Sequence, residues 1–213
     1  MKIKYFANNP FQENTYIVWD EHSHDGAMVD CGVLFNAEQE AVAQYIADNG
    51  IRITHLLNTH LHLDHCFGNH WAAECYCIKP EAHEADAPYI ANFNAQLRSF
   101  GLDPDIAPAE PIGAFLRDGD VVAVGNLAFE VIHTPGHTPG GVCYYCKTEK
   151  IVLTGDTLFA GSVGRADLEG GSYSDLIRSI KNKLMSLPDD VRVYCGHGPY
   201  TTIGDERRNN PFL

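Results

Sequence analysis

The chain is poor in positive charge. Its 213 residues include 15 Lys and Arg against 28 Asp and Glu, which gives a formal net charge of −13 at pH 7. Nucleic-acid binding depends on clustered Lys and Arg that neutralise phosphates, so this balance argues against nucleic acid as a partner. An anionic small substrate would need a local positive centre, and a bound metal ion is the most concentrated one available.

Long apolar runs are also missing. No stretch reaches the ~18 consecutive apolar residues of a membrane-spanning helix, and the opening residues MKIKYF lack the apolar core of a secretory signal. The seven cysteines are an odd number and lie scattered along the chain, which favours reduced thiols over a disulfide framework. These features predict a cytoplasmic protein with no membrane partner.

Most of the cysteines and one acidic run are interpreted as structural rather than functional residues. Cys143 and Cys146 have the spacing of a redox or zinc motif, but no second pair accompanies them and their surroundings are apolar, which predicts core thiols. Four further cysteines are interpreted as small buried residues: Cys31, Cys75, Cys77 and Cys195. The acidic run Glu81–Asp86 is interpreted as a solvated helix face.

Strand and helix patterns alternate along the whole chain. Short apolar runs between turn formers predict these strands: Lys2–Phe6, Thr15–Trp19, Ala27–Asp30, Ile53–Leu57, Tyr76–Lys79, Val121–Val124, Leu127–Ile132, Val142–Tyr145, Ile151–Leu153 and Val191–Tyr194. Apolar residues at helical spacing, together with capping and turn signals, predict these helices: Asn36–Asp48 with Asn36 as N-cap, Phe67–Glu74, Pro80 to about Leu97, and Ser174–Met185. Two strand-rich halves, each with helices, predict two sheets packed face to face with helices outside. Because no linker or low-complexity tract divides the chain, residues 1–213 are expected to form one domain.

Four potential metal ligands fall within six positions of the run Thr59–His65, which reads THLHLDH. In extended backbone His60, His62 and Asp64 alternate onto one side, and a turn at His65 can bring its imidazole to the same point. A surface loop has little reason other than metal binding to reach this density. Imidazole and carboxylate suit zinc, iron or manganese, so the run predicts a metal site.

A pair of metal ions needs more ligands than this run holds. Three later residues follow predicted strands and are flanked by Gly or Pro, which let the backbone turn sharply beside a cavity. They are His137 in TPGHTPGG, Asp156 in TGDT and His197 in CGHGP. Each alone could be a hydrogen-bonded turn residue, but together they predict the remaining ligands of a site for two metal ions.

The order of these motifs resembles the metallo-β-lactamase superfamily over nearly the whole chain. Within that superfamily, the segments Gly155–Phe159 and Gly161–Leu168 resemble the glyoxalase II branch. The resemblance implies an α+β fold, a four-layer αββα sandwich of two mixed sheets with outer helices. It places the site at one edge of the sheets.

The resemblance also implies roles for the candidate ligands. One metal ion would be held by His60, His62 and His137. The second would be held by Asp64, His65 and His197, and Asp156 would bridge the two. Zinc is the expected metal, with iron or manganese as alternatives. A hydroxide between two such ions is a nucleophile at neutral pH, and Asp64 could orient it while ligating.

The implied activity is that of a thioester hydrolase. Its substrate would be a small-molecule hydroxyacyl-glutathione or related acyl thioester, cleaved to a hydroxy acid and a thiol. The chain ends soon after His197, without the additional C-terminal helical glutathione-binding region of longer glyoxalase II enzymes. It therefore resembles the short bacterial members of the branch, and glutathione recognition stays open. Arg165 could bind a substrate carboxylate, or it could fix its loop by pairing with Asp167.

Other functions are weighed against this one. Persulfide dioxygenases of the superfamily use one iron held by the equivalents of His60, His137 and Asp156, whereas the GHGP setting of His197 favours a hydrolase. Lactonases share the metal ligands. β-Lactamases of the common zinc classes carry a cysteine near the bridging position, which is Asp156 here. A purely structural zinc is disfavoured because such sites are usually closed and cysteine-rich.

Overall fold

Each half of the chain forms one six-stranded sheet in the structure, a computed structural model that describes residues 1–213. The first sheet consists, in spatial as in chain order, of β1 (Lys2–Asn8), β2 (Glu13–Trp19), β3 (Asp25–Val29), β4 (Arg52–Leu57), β5 (Pro80–His83) and β6 (Ala114–Leu116). Six strands form the second sheet: β7 (Val121–Val124), β8 (Leu127–His133), β9 (Val142–Cys146), β10 (Ile151–Gly155), β13 (Arg192–Cys195) and β14 (Thr201–Thr202). A short hairpin of β11 (Leu158–Phe159) and β12 (Ser162–Val163) completes the strands. Because each sheet contains both parallel and antiparallel pairs, both sheets are mixed.

Six helices surround the sheets. They are α1 (Asn36–Asp48), α2 (Asn69–Tyr76), α3 (Ala87–Ala91), α4 (Phe93–Ser99), α5 (Tyr173–Asn182) and α6 (Ile203–Asn209). None of them is long and apolar enough to cross a membrane.

Three apolar layers hold this arrangement together. Between the sheets, residues such as Tyr16 and Leu57 pack against Phe129 and Tyr144. A second core joins the outer face of the first sheet to α1, and a third joins the second sheet to α5 and α6. Burying one Leu or Phe side chain stabilises a fold by about 1.5–3 kcal/mol, so these cores fix both sheets between helices. The predicted α+β, four-layer αββα sandwich is confirmed.

The first helix spans the predicted residues, but its cap differs. Phe35 occupies the N-cap position, and the Glu38 carboxylate accepts hydrogen bonds from the backbone N–H groups of Leu34 and Phe35 at 2.8 and 3.0 Å. The prediction of Asn36 as N-cap was wrong because a carboxylate three residues into the helix satisfies the free N–H groups instead.

The segment after α2 was predicted wrongly. Tyr76 ends a helix and Cys77 adopts the left-handed conformation, so Tyr76–Lys79 is not a strand. Pro80 begins β5 rather than a helix, and the remainder up to Leu97 is divided between a 3-10 turn, α3 and α4. Proline tolerates the first position of a strand as well as that of a helix, which is why the pattern misled.

All seven cysteines are free thiols. Cys143 and Cys146 are buried, as predicted, and so are Cys31 and Cys195. Cys75 and Cys77 are exposed, contrary to expectation, because they lie at the end of α2 where the chain turns out toward solvent.

Candidate metal centre

The predicted ligands meet at one edge of the sandwich, where strands from both sheets end. The THLHLDH run follows β4 of the first sheet, and its last three residues form a 3-10 turn. The second sheet contributes His137 after β8, Asp156 after β10 and His197 after β13. Since β10 and β13 are parallel neighbours, their carboxyl ends place the last two residues side by side.

Successive side chains of the THLHLDH run point alternately to the apolar core and to the site. Leu61 and Leu63 are 0% and 2% exposed and pack with Phe93 and Leu97 of α4. Because neighbouring side chains of extended backbone point to opposite sides, burying these leucines turns the adjacent histidines toward the second sheet.

Three imidazoles converge on one side of the site, and we call them the nitrogen cluster: His60, His62 and His137. His62 Nδ1 lies 2.9 Å from His137 Nε2, which lies 3.2 Å from His60 Nε2. The three rings are T-shaped to one another, with interplanar angles of 79 to 89°. Their nitrogens therefore face a common point rather than stacking.

A second group, the carboxylate cluster, consists of Asp64, His65 and His197. Asp64 Oδ2 lies 3.3 Å from His197 Nε2 and 3.7 Å from His65 Nε2. Both nitrogens and the carboxylate oxygen thus enclose a second point suited to a cation.

Asp156 lies between the two clusters. Its Oδ1 is 3.4 Å from His65 Nε2 and 3.6 Å from His197 Nε2, whereas its Oδ2 is 3.5 Å from His137 Nε2. One oxygen therefore faces each cluster, the geometry expected of a bridging carboxylate.

The residues present fit divalent metal ions. Four buried side-chain N and O atoms in the protein have no hydrogen-bond partner, and two of them are His65 Nε2 and Asp156 Oδ1. Unsatisfied buried polar atoms are rare because they carry a desolvation penalty. These two atoms face each other among further imidazoles and carboxylates. Together these groups form the donor set of zinc, iron or manganese sites.

Asp30 anchors this site and was not foreseen from the sequence. Its carboxylate is 3.1 Å from His65 Nδ1 and accepts hydrogen bonds of 2.7 Å from both the hydroxyl and the backbone N–H of Thr59. The same hydroxyl lies 3.1 Å from His60 Nδ1. Asp30 has φ +51°, a conformation that costs free energy for a residue with a side chain. Asp30 ends a predicted strand, but its partners Thr59 and His65 lie 29 and 35 positions away, so the sequence did not single it out.

Asp86 is a second buried anchor. It accepts hydrogen bonds from Leu61 N at 3.2 Å, Thr138 Oγ1 at 2.8 Å and Gly140 N at 2.6 Å. Asp86 is 0% exposed and lies in a 3-10 turn after β5, which holds Glu81–His83, so the interpretation of the run Glu81–Asp86 as a solvated helix face was wrong. Charge pattern alone could not reveal it, since its three partners come from segments distant in sequence.

Backbone carbonyls fix two further ligands. His137 Nδ1 donates to Arg165 O at 2.7 Å, and His197 Nδ1 lies 3.1 Å from Phe11 O. A carbonyl only accepts hydrogen bonds, so both rings carry their proton on Nδ1 and present the lone pair of Nε2 to the site.

The atoms packed around Gly196 leave no room for a side chain at this position. A Cβ built there would lie 2.3 Å from Asp156 Oδ1 and 2.8 Å from His65 Cε1. Any side chain would therefore displace the bridging carboxylate, which explains the glycine before His197.

The two clusters differ in their protonation. Burial and the neighbouring imidazoles lower the pKa of His60, and burial with His137 lowers the pKa of His62 to about 3. Burial also opposes charge on His65, but Asp64, Asp156 and Asp30 outweigh it and raise the pKa of this imidazole. His60 and His62 are thus neutral candidate ligands, whereas the carboxylate cluster attracts positive charge.

Arg165 is engaged within its own loop. Its Nε and Nη2 donate to the two oxygens of Asp167, each at 2.8 Å, which raises the pKa of the arginine. The pairing foreseen as one of its two roles is therefore present. Arg165 also borders the site cavity of about 220 Å³, so its role in substrate binding stays a prediction.

Comparisons with known proteins agree with this geometry. The model of the metallo-β-lactamase superfamily matches residues 8–197, a range that contains all the candidate ligands and both buried anchors. Hydroxyacylglutathione hydrolase GloC of Haemophilus influenzae is 36% identical, over 100% of this chain and 98% of the relative.

Solved structures extend the comparison. BLEG-1, described as a B3 metallo-β-lactamase, has a TM-score of 0.90 and 33% identity, covering 100% of this chain and 99% of that one. TTHA1623 in a di-iron-bound form has a TM-score of 0.86 and 36% identity, covering 99% of this chain and 100% of that one. Both likenesses extend over the two sheets and the edge where the ligands meet.

Proposed function

The chain belongs to the metallo-β-lactamase superfamily, and from that premise we propose that it is a binuclear thioester hydrolase of glyoxalase II type. Its substrate is an acyl thioester such as a hydroxyacyl-glutathione, and its products are a hydroxy acid and a thiol. The closeness to GloC supports the reaction class. The free cysteines further support our proposal of a cytoplasmic location.

One observation carries the binuclear proposal. Asp156 directs one oxygen to each ligand cluster, at 3.4 Å from His65 and at 3.5 Å from His137. A site for a single ion has no use for a second complete set of ligands across the bridge. We propose two divalent ions, with zinc as the expected metal and iron or manganese as alternatives, and the di-iron form of TTHA1623 supports a pair of ions in this fold.

When bound, two such ions supply an activated water at neutral pH and polarise the thioester carbonyl. The protein's own part is positioning. Asp64 holds the ring of His197 at 3.3 Å, and its carboxylate borders the site cavity, where it can orient a nucleophilic water. Phe11, Phe100 and Leu168 line the same cavity with apolar side chains. The leaving thiol is acidic enough to depart as a thiolate, so no strong general acid is needed.

Three other activities of the superfamily are weighed against this proposal. β-Lactam hydrolysis is favoured by the description and closeness of BLEG-1. A mononuclear iron persulfide dioxygenase would need only His60, His137 and Asp156, and it would leave the carboxylate cluster without a role. Lactone hydrolysis uses the same ligands and is tested alongside.

The test combines metal counting with an activity screen. Purified protein is assayed on lactoylglutathione, other acyl thioesters, lactones, a β-lactam and glutathione persulfide, with oxygen uptake recorded. We expect about two metal ions per chain and oxygen-independent thioester cleavage. One iron with oxygen uptake, or cleavage of the β-lactam alone, would reject the proposal.

Replacing Asp156, the proposed bridging residue, is a second test of the proposed function. Asp156→Ala should lower metal affinity by at least about 100-fold, because even residues that only support a ligand contribute 10- to 100-fold, and thioester turnover should fall with it. Asp190→Ala is the control, since Asp190 is 57% exposed and pairs with Lys150 away from the site. If turnover survived the loss of metal, the enzyme proposal would fail.

A further inference from the structure

A larger groove opens directly beside the site cavity. Its volume is about 440 Å³, against about 220 Å³ for the site cavity. The two spaces share the residues His62, Gln96, Phe100 and Leu168, so they are continuous past a predicted metal ligand. A substrate whose carbonyl lies at the metal centre can therefore extend into the groove.

The groove is lined by apolar and neutral polar side chains. Pro88, Tyr89 and Pro139 form apolar walls, while Asn92 and Ser99 contribute an amide and a hydroxyl. No Lys or Arg lines it, and its one acidic residue is Glu169. The only Lys or Arg side chain at the site cavity is Arg165, whose guanidinium is already paired with Asp167.

The far wall is close-packed. Tyr89 Oη donates to the carbonyl of Glu169, which joins α3 to the loop after Asp167. A Cβ built on Gly170, which has φ +78°, would lie 2.8 Å from Tyr89 Oη and 2.9 Å from Pro139 Cδ. The contacts that shape this end are therefore made by the chain itself, without a ligand.

We propose that this groove binds the leaving-thiol half of the substrate, and that this half is an uncharged, amide-containing chain rather than one bearing carboxylates. The inference rests on the proposed thioester hydrolase activity. It narrows the substrate from a hydroxyacyl-glutathione or a related acyl thioester to the related thioesters, because the thiol half of glutathione itself carries carboxylates. A carboxylate entering the groove would lose hydration without gaining a cation, and such uncompensated burial is costly. An amide chain would find apolar walls and the side-chain amide of Asn92. Gln96 and Ser99 would offer their side-chain oxygens as acceptors, because Gln96 Nε2 donates to Tyr89 O and Ser99 Oγ donates to Gln96 O.

The first experiment compares two thioesters that differ by one carboxylate. S-lactoyl-N-acetylcysteamine has an uncharged thiol half, and S-lactoyl-N-acetylcysteine adds a single carboxylate to it. We expect kcat/KM to be about tenfold higher for the uncharged substrate, since a carboxylate left unpaired in a half-open groove loses on the order of 1–2 kcal/mol of interaction, where 1.4 kcal/mol is tenfold. Equal values, or a preference for the carboxylate, would overturn the inference while leaving the proposed function intact. No cleavage of any thioester would reject the proposed function itself.

The second experiment changes the groove at one exposed position. Ser99→Trp should raise KM several-fold more for the uncharged thioester than for S-methyl thiolactate, which has no chain to place in the groove. Ser99→Lys should improve kcat/KM for the carboxylate substrate several-fold. Asn94→Trp on the same helix is the control, because Asn94 does not line the groove. If both Trp variants had the same effect, or if Lys gave no gain for the carboxylate, the groove would not be the thiol subsite.

Discussion

Two buried aspartates support the site in different ways. Asp30 contacts ligand side chains: its carboxylate meets the imidazole of His65 and reaches His60 through the hydroxyl of Thr59. Asp86 lies behind the nitrogen cluster and bonds to residues next to the ligands: Leu61, Thr138 and Gly140. One aspartate orients rings, whereas the other fastens two loops together.

This difference separates two requirements of a metal site. A ring must present the correct nitrogen, and a carboxylate on its other nitrogen fixes the tautomer and raises ligand basicity. The ligands must also lie at the correct separation, and here the loops carrying His62 and His137 belong to different sheets. Asp30 serves the first requirement at both clusters, while Asp86 serves the second at the nitrogen cluster alone.

Replacing Asp30 should have the larger effect. In Asp30→Asn the side chain keeps one acceptor oxygen and gains an amide that can only donate, so Thr59 and His65 cannot both be satisfied. We expect the affinity for both metal ions to fall by about 100-fold, the upper range for residues that support a ligand. Zinc titration of the metal-free protein against a chromophoric chelator measures it, with Asp190→Asn as control. Unchanged affinity would show that Asp30 stabilises only the fold.

Replacing Asp86 should affect one metal ion and spare the other. Asp86→Asn places an amide against the N–H of Leu61 or Gly140, which loosens the two loops. We expect about tenfold weaker binding at the nitrogen cluster. At a free zinc concentration between the dissociation constants of the two sites, the number of zinc ions bound per chain should therefore drop from two toward one. Cobalt substitution gives an absorption spectrum for each site and reports which one empties first. Equal weakening at both sites would contradict the separation of roles.

The sequence singled out the candidate ligands, which lie together in the structure, but not the residues that support them, for a physical reason. His60, His62, Asp64 and His65 lie on consecutive extended and turned backbone, so local geometry alone brings them together. Asp30 is joined to His65 across 35 positions, and Asp86 to Gly140 across 54. Asp30 meets His65 because β3 and β4 pair within the first sheet, whereas Asp86 meets Gly140 through the packing of the two sheets, and no local pattern contains either pairing. The sandwich itself could be predicted because strand and helix periods persist along the whole chain, while the segment Tyr76–Leu97 could not, because proline begins strands and helices alike.

A histidine–carboxylate pair that contains no candidate metal ligand, His55 and Glu81, extends the comparison. His55 Nδ1 lies 2.6 Å from Glu81 Oε1, joining β4 to β5, and its Nε2 lies 3.1 Å from Ala123 O in the second sheet. The hydrogen bond to Glu81 outweighs burial and raises the pKa of His55. This pair therefore contributes stability that is fully present below the unfolded pKa of about 6.5 and is lost as pH rises through the higher folded pKa.

His55→Gln should for that reason have the smallest effect, and one confined to stability. We expect the free energy of unfolding to fall by about 1 kcal/mol near pH 5.5, where the imidazole is charged, and by less near pH 9. Urea unfolding at the two pH values measures the difference, and zinc titration should give the wild-type affinities. A loss of metal binding would mean that any histidine–carboxylate pair in this sheet supports the site. An equal or larger loss of stability at the higher pH would mean that the charged imidazole is not the stabilising form, because only that form disappears as the pH rises.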